Sequence, residues 1–123
     1  MELKIIDGDF SVCRVKDLSK VNFGGNYYFI GKTDEEFSLV CETKDVPDNA
    51  EKREDNWKAF RFEGVLDFSL TGILSAATVV LAEEKIGIFA VSTYNTDYIL
   101  VKSDKLEAAV SALKKAGYKF KAY

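Results

Sequence analysis

The sequence predicts an α+β fold made of two related halves, the first mostly β and the second carrying helices. Three observations support this. From Trp57 onward the apolar pattern runs strand, loop, helix, strand, polar turn, strand, helix. Apolar residues make up 47% of the 123, enough to build a core and to argue against disorder. An apolar hairpin pattern also occurs twice at one constant offset. Thr33 matches Thr93, Leu39 matches Ile99, Val40 matches Leu100, Cys41 matches Val101 and Val46 matches Leu106. The earlier copy has only a Gly24-Gly25 loop where the later one has a helix. The expected division is therefore residues 1–56, a degenerate β-rich unit, and residues 57–123, a complete one.

Each element follows from its local pattern. Leu3 and Ile5 alternate with Glu2 and Lys4 as in a strand, Asp7-Gly8-Asp9 reads as a turn, and Phe10 to Val15 as the returning strand of a hairpin. Lys16 to Asn26 is polar and reads as a loop. Tyr27 to Ile30 and Phe37 to Cys41 flank the polar turn 31–36, a second hairpin. Lys44 to Asn56 holds the only proline and a dense mix of charges, which suits a linker or a frayed short helix. Trp57 to Glu63 returns to strand, with Phe60 and Phe62 on the core face and Arg61 and Glu63 on the other. Ile73, Ala77, Val80 and Leu81 stand at helical spacing within Gly72–Lys85, and Ser69 or Thr71 can supply the N-cap oxygen. Ile86 to Val91 and Tyr98 to Val101 are strands. Asp104 and Glu107 have capping-box spacing ahead of a second helix with the stripe Leu106, Ala109, Val110 and Leu113. Gly117 suits its C-cap. Tyr118 to Tyr123 alternates like a short edge strand, and its open edge predicts a dimer or higher oligomer.

Composition excludes several functions. A net charge of −3 lacks the basic face expected for nucleic acid or an anionic membrane surface. Lys114, Lys115, Lys119 and Lys121 suit a solvated helix end. No apolar run spans a bilayer, and the first residues contain no signal core, so the expected location is the cytoplasm. Two cysteines, Cys13 and Cys41, each lie in an apolar strand pattern and are expected to be reduced and buried. The absence of histidine removes histidine bases, Ser-His and Cys-His couples and histidine metal ligands. Asp34-Glu35-Glu36 and Asp7-Gly8-Asp9 read as solvated turns rather than hard-metal sites. Carboxylate, lysine or tyrosine catalysis remains open, as in an enzyme using Asp97 or a tyrosine, but no nucleophile–base pair can be named, so the expectation is no enzyme activity, no metal and no cofactor.

Chemistry concentrates in two segments. The first runs Asp67-Phe68-Ser69-Leu70-Thr71-Gly72-Ile73 into the first helix, and the second is the turn Ser92-Thr93-Tyr94-Asn95-Thr96-Asp97. Backbone N–H groups at a helix start lack intrahelical partners and favour an anion, so Thr71, Gly72 and Ile73 suit an α-carboxylate. An ordinary capped helix is the alternative. Asp97 suits the ammonium of such a ligand, or caps its own turn. Thr93, Asn95 and Thr96 contact a ligand or satisfy the turn, and Tyr94 is large enough to wall a side-chain pocket.

Glu63-Gly64, the run Leu66 to Ile73, Ile88-Phe89, Ser92-Thr93-Tyr94 and Thr96-Asp97-Tyr98 resemble the ACT domains of bacterial tandem amino-acid-binding proteins. The likeness extends to Leu3-Lys4-Ile5-Ile6 and Tyr28-Phe29, and to the N-terminal half of the animal cytosolic arginine sensors. It implies a ferredoxin-like βαββαβ unit after a degenerate ACT-like half. It also implies a free amino acid held by Asp67 to Ile73 and Ser92 to Asp97, and pairing with a second copy or another ACT-containing partner. Leu70 replaces an acidic residue of the arginine-binding unit, which argues against arginine and leaves a mild preference for a small or apolar amino acid. A regulatory amino-acid sensor is the expected function. A ligand-free dimerisation scaffold acting through a protein partner is the alternative.

Overall fold

The computed structural model describes residues 1–64 and 71–121. Two compact units emerge, Gly8–Trp57 and the pair of segments Met1–Asp7 and Lys58–Tyr123. Met1–Asp7 thus belongs with the later unit, whereas the sequence places it in a first half ending at residue 56. Strands β1 (Glu2–Val15) and β4 (Ala50–Phe62) contribute residues to both units.

In the Gly8–Trp57 unit the strand order is β2-β3-β1-β4, with β2 at Tyr28–Lys32 and β3 at Phe37–Glu42. Strand β3 is antiparallel to both neighbours, running from Phe10↔Glu42 to Val15↔Phe37 against β1 and from Tyr28↔Cys41 to Lys32↔Phe37 against β2. One face carries a core of Cys13, Val15, Val21, Leu39 and Cys41. Here the loop takes the place of a helix, supplying Val21 and the half-buried Leu18. Cys13 and Cys41 are both free and buried, as expected. A hydrogen bond between the thiols holds Cys13 below its ordinary pKa and pushes Cys41 up, and burial adds to the rise at Cys41. Beside them, the fully buried Ser11 donates to Asp55 Oδ1 at 2.6 Å and lies 2.9 Å from the Thr43 hydroxyl, while Arg53 closes on Asp55 at 3.0 Å.

Two expectations fail in this unit. The sequence predicts a hairpin turning at Asp7-Gly8-Asp9, but β1 continues through it. Gly8 absorbs the irregularity at φ +113°, and a Cβ there would meet Glu42 Oε1 at 3.3 Å. A glycine takes this backbone without steric cost and admits the close approach. Likewise, the run Lys44–Asn56, expected as a linker or frayed short helix, is strand from Ala50 onward. A 3₁₀ turn at Thr43–Asp45 leads into β4, whose charged first half is strand with exposed side chains. Pairing the backbone in a sheet overrides the weak strand propensity of those residues.

In the other unit the order is β7-β1-β4-β6-β5, with β5 at Phe89–Ser92, β6 at Asp97–Lys102 and β7 at Lys119–Lys121. Helix α1 spans Ile73–Glu83 and α2 spans Leu106–Lys115. From β4 to β7 the chain follows the ferredoxin-like βαββαβ course, with the start of β1 lying between β4 and β7. Strand β7 pairs parallel with it, Leu3 opposite Phe120. The core joins Leu3, Phe60, Phe62, Ala77, Leu81, Ile99, Val101, Ala109 and Leu113. Each large apolar side chain removed from water contributes about 1.5–3 kcal/mol. Strand β5 starts at Phe89, later than expected.

The expected N-cap oxygens are not used among the described residues. Gly72 occupies the cap of α1 with no side-chain bond, and Ser69 lies outside the described residues. The Asp104/Glu107 capping box does not form either. A 3₁₀ turn at Ser103–Lys105 feeds α2, so Asp104 sits inside that turn instead of at a cap. No described helix is long and apolar enough to cross a membrane. Among the described residues no group of three or more Cys, Asp or Glu is placed to hold a metal ion.

Candidate functional site

The start of α1 and the β5–β6 turn occupy two different clefts of the helical unit. Gly72 has φ +75°, a left-handed conformation that a glycine enters freely, and it turns the chain into α1. The first helical bond runs from Ala76 N to Gly72 O at 2.8 Å, leaving the N–H groups ahead of Ala76 without intrahelical partners. Thr71, Gly72 and Ile73 line a cleft of about 350 Å³ together with Met1, Ala76, Ala116, Gly117 and Tyr118. No acidic or basic side chain lines it.

The turn is closed by its own hydroxyls. Thr93 N donates to Thr96 O at 2.9 Å, and the Thr93 hydroxyl reaches the same oxygen at 2.9 Å. Ser92 Oγ donates to Asp97 Oδ1 across the hairpin, where the two residues are register partners. Thr96 is buried, and its hydroxyl donates to Phe62 O at 2.8 Å, tying the turn to the end of β4. Tyr94 is 79% exposed. Neither Tyr94 nor Asp97 lines either of these two clefts.

The second cleft, about 290 Å³, is lined by Thr93, Asn95 and Thr96 from the turn, by Arg61, Phe62, Glu63 and Gly64, and by Tyr98. Arg61 in β4 and Glu63 just past its end bring their charged groups to 3.9 Å, with side chains 25% and 19% exposed. Arg61 Nη1 donates to Tyr98 Oη at 3.2 Å, and the guanidinium lies 5.9 Å from the centre of that ring. The sequence places Arg61 and Glu63 on the outward face of their strand and gives them no role. The signal is present in their alternation with Phe60 and Phe62, but their burial depends on β6 lying alongside.

Of the expected site residues, Thr71, Gly72 and Ile73 come together in one cleft and Thr93, Asn95 and Thr96 in the other. Asp67, Phe68, Ser69 and Leu70 lie outside the described residues. The described residues on either side of them fall in different clefts, Gly64 in one and Thr71 in the other.

A family model described as ACT domain matches residues 52–115. A protein from Agobacterium tumefaciens with a solved crystal structure is 32% identical, covering 99% of this chain and 92% of its own, with a TM-score of 0.86. A Vibrio cholerae protein described as a possible transport protein is 19% identical over 93% of this chain and 88% of its own, at a TM-score of 0.72. The regulatory subunit of aspartate kinase from Thermus thermophilus covers 94% of this chain and 97% of its own at a TM-score of 0.65. Its 9% identity makes that a likeness of fold alone. No curated protein matches the sequence.

Proposed function

The chain belongs to the ACT domain family, and on that premise we propose that it is a small cytoplasmic regulatory module that binds a free amino acid and has no catalytic activity of its own. The ligand is held by residues of the Asp67 to Ile73 segment and the Ser92 to Asp97 turn. The observation that carries this reading is the pair of small clefts at the two ends of residues 65–70, in the unit that the family model matches. The N–H groups at the start of α1, which lack intrahelical partners, add an anion preference.

The same reading extends to the Gly8–Trp57 unit as a second, degenerate ACT unit, in the manner of the bacterial tandem proteins and the N-terminal half of the animal arginine sensors. In support, β3 and β6 stand at one constant offset, Phe37 against Asp97 and Glu42 against Lys102, with the same burial along the strand, three buried residues between half-buried ends. Each is followed by a 3₁₀ turn, Thr43–Asp45 and Ser103–Lys105. The module acts as a homodimer or with another ACT-containing partner, because β7 leaves a sheet edge to cover.

One observation favours the scaffold alternative. Thr93 and Thr96 already bond to each other, and Ser92 donates to one oxygen of Asp97, as in a turn that closes without a ligand. A thermal-shift screen of all twenty amino acids at millimolar concentration separates the two. Binding to the folded state at about a hundred times the dissociation constant adds roughly 2.7 kcal/mol. That raises the melting temperature of a domain this size on the order of ten degrees. A flat response across all twenty leaves the scaffold.

A further inference from the structure

We infer that Cys13 and Cys41 form a two-thiolate seat for a soft monovalent metal ion, with copper(I) as the ion their chemistry selects. The seat lies in the Gly8–Trp57 unit and does not depend on amino-acid binding in the helical unit.

The sequence alone suggests no metal, because the two cysteines fall in separate strand patterns. Pairing of β1 with β3 brings them together. Ser11 stands opposite Cys41 and Cys13 opposite Leu39, so the cysteines are diagonal neighbours on one face of the sheet. Their thiols meet in a hydrogen bond inside the core that also holds Val15, Val21 and Leu39. Diagonal positions of this kind have Cα atoms about 7–8 Å apart. A disulfide needs them within about 7 Å unless the backbone moves. An ion between the sulfurs spans more, at about 2.3 Å per metal–sulfur bond, and asks only for a small separation of thiols already in contact.

Ligand count selects the metal. These are the only cysteines of the chain, and it has no histidine. Zinc takes three or four protein ligands and iron–sulfur clusters four. Among the described residues no group of three or more Cys, Asp or Glu is placed around one point. Two thiolates suffice for copper(I), a soft ion that favours thiolate sulfur and accepts linear coordination. Two thiols and Cu⁺ give a bis(thiolate)copper(I) of charge −1, with both S–H protons released to water. Arg53 acts on Cys13 as the offsetting cation, against Asp55 of opposite sign.

Cys13 and Cys41 are 4% and 2% exposed, so an ion enters only when their cover lifts. Part of that cover is the loop that replaces a helix, through Leu18 and Val21. Side-chain bonds from Asn49 to Asp17 and from Asn22 to Asp45 hold the loop, and they are exposed to solvent. A segment held by such bonds opens locally without unfolding the sheet beneath it.

The test is an anaerobic titration of the ¹⁵N-labelled full-length chain with copper(I), supplied as its bicinchoninate complex so that the chelator reports competition. The expected result is one ion retained per chain by native mass spectrometry, an ultraviolet thiolate-to-copper charge-transfer band, and amide shifts at Cys13, Cys41, Leu18 and Val21. Cys13→Ser and Cys41→Ser should each weaken binding by at least the roughly hundredfold that loss of an outer partner alone can cost. If either variant fails to fold, the amide shifts of the parent chain decide the location. Asn22→Ala should speed uptake by loosening the cover, and uptake at the parent's rate overturns the loop as the way in. Copper surrendered wholly to the chelator, or retained with amide shifts elsewhere, overturns the seat. A chain lighter by two hydrogens and without copper identifies a disulfide pair and also overturns it. Zinc retained as tightly as copper(I) overturns the two-ligand reading.

Discussion

The two hairpins, β2–β3 and β5–β6, share a backbone and differ in what surrounds it. Both close with a threonine whose N–H donates to the residue three along, Thr33 to Glu36 at 3.0 Å and Thr93 to Thr96 at 2.9 Å. Both threonine hydroxyls accept the N–H of that same residue, from Glu36 at 3.1 Å and from Thr96 at 3.4 Å. Each turn also lines a cleft with an arginine-bearing strand end, Arg14 to Lys16 in one unit and Arg61 to Glu63 in the other. Past that point they diverge. Thr96 is buried and anchored to Phe62, whereas Glu36 is exposed. Arg61 and Glu63 are mostly buried, whereas Arg14 and Glu51 are about half exposed and 3.6 Å apart. Turn chemistry is thus set locally, but the worth of a charge beside the turn is set by what covers it.

The comparison breaks most readily at Thr96. Thr96→Val keeps the shape and removes the donor to Phe62 O, at a cost of about 1–3 kcal/mol for the buried carbonyl left behind. Glu36→Gln, at the matching position, should stay within about 0.5 kcal/mol. Urea denaturation of both variants measures the contrast, and equal losses would mean that the two turns are anchored alike.

The exposed ion pair sharpens it further. A double-mutant cycle on Arg14 and Glu51 should return a coupling of about 0–1 kcal/mol that fades with added salt, because both side chains remain in solvent. A salt-insensitive coupling of several kcal/mol would place that pair in an environment like that of Arg61 and Glu63.

The smallest effect concerns the loop that replaces a helix in the Gly8–Trp57 unit. Asp17 is held below the usual carboxylate range by the Ser19 hydroxyl and then by the Ser19 N–H. A depressed folded-state pKa means that its stabilising contribution is present above the unfolded value and is lost as pH falls through the folded one. Ser19→Ala should therefore raise the Asp17 pKa toward its ordinary value. An NMR pH titration of the Asp17 side chain measures this, and an unchanged midpoint would show that the backbone bond alone sustains the shift.

Much of the fold is legible in local pattern. The alternation of Phe60 and Phe62 with Arg61 and Glu63 marks a half-buried strand, and the stripe Ala77 and Leu81 marks the inward face of α1. The repeat of Leu39, Val40 and Cys41 in Ile99, Leu100 and Val101 marks the paired hairpins, and all six residues are buried. The candidate site is only half legible. Polar residues at 92–97 and glycine at the helix start stand out by composition, but nothing local separates Arg61 and Glu63 from any solvated charge on a strand.

What the sequence by itself determined is periodicity: which residues alternate, which recur at helical spacing and where a polar turn interrupts them. These are consequences of side-chain direction along a strand or helix, which every residue carries with it. Only the tertiary structure decided that Asp7-Gly8-Asp9 stays inside a strand, that the charged run before Trp57 is strand, and that Arg61 and Glu63 lie under cover beside Tyr98. The reason is that strand pairing and burial are supplied by neighbours distant in sequence, and those neighbours settle whether a turn forms and whether a charge is screened by water or left to its partner.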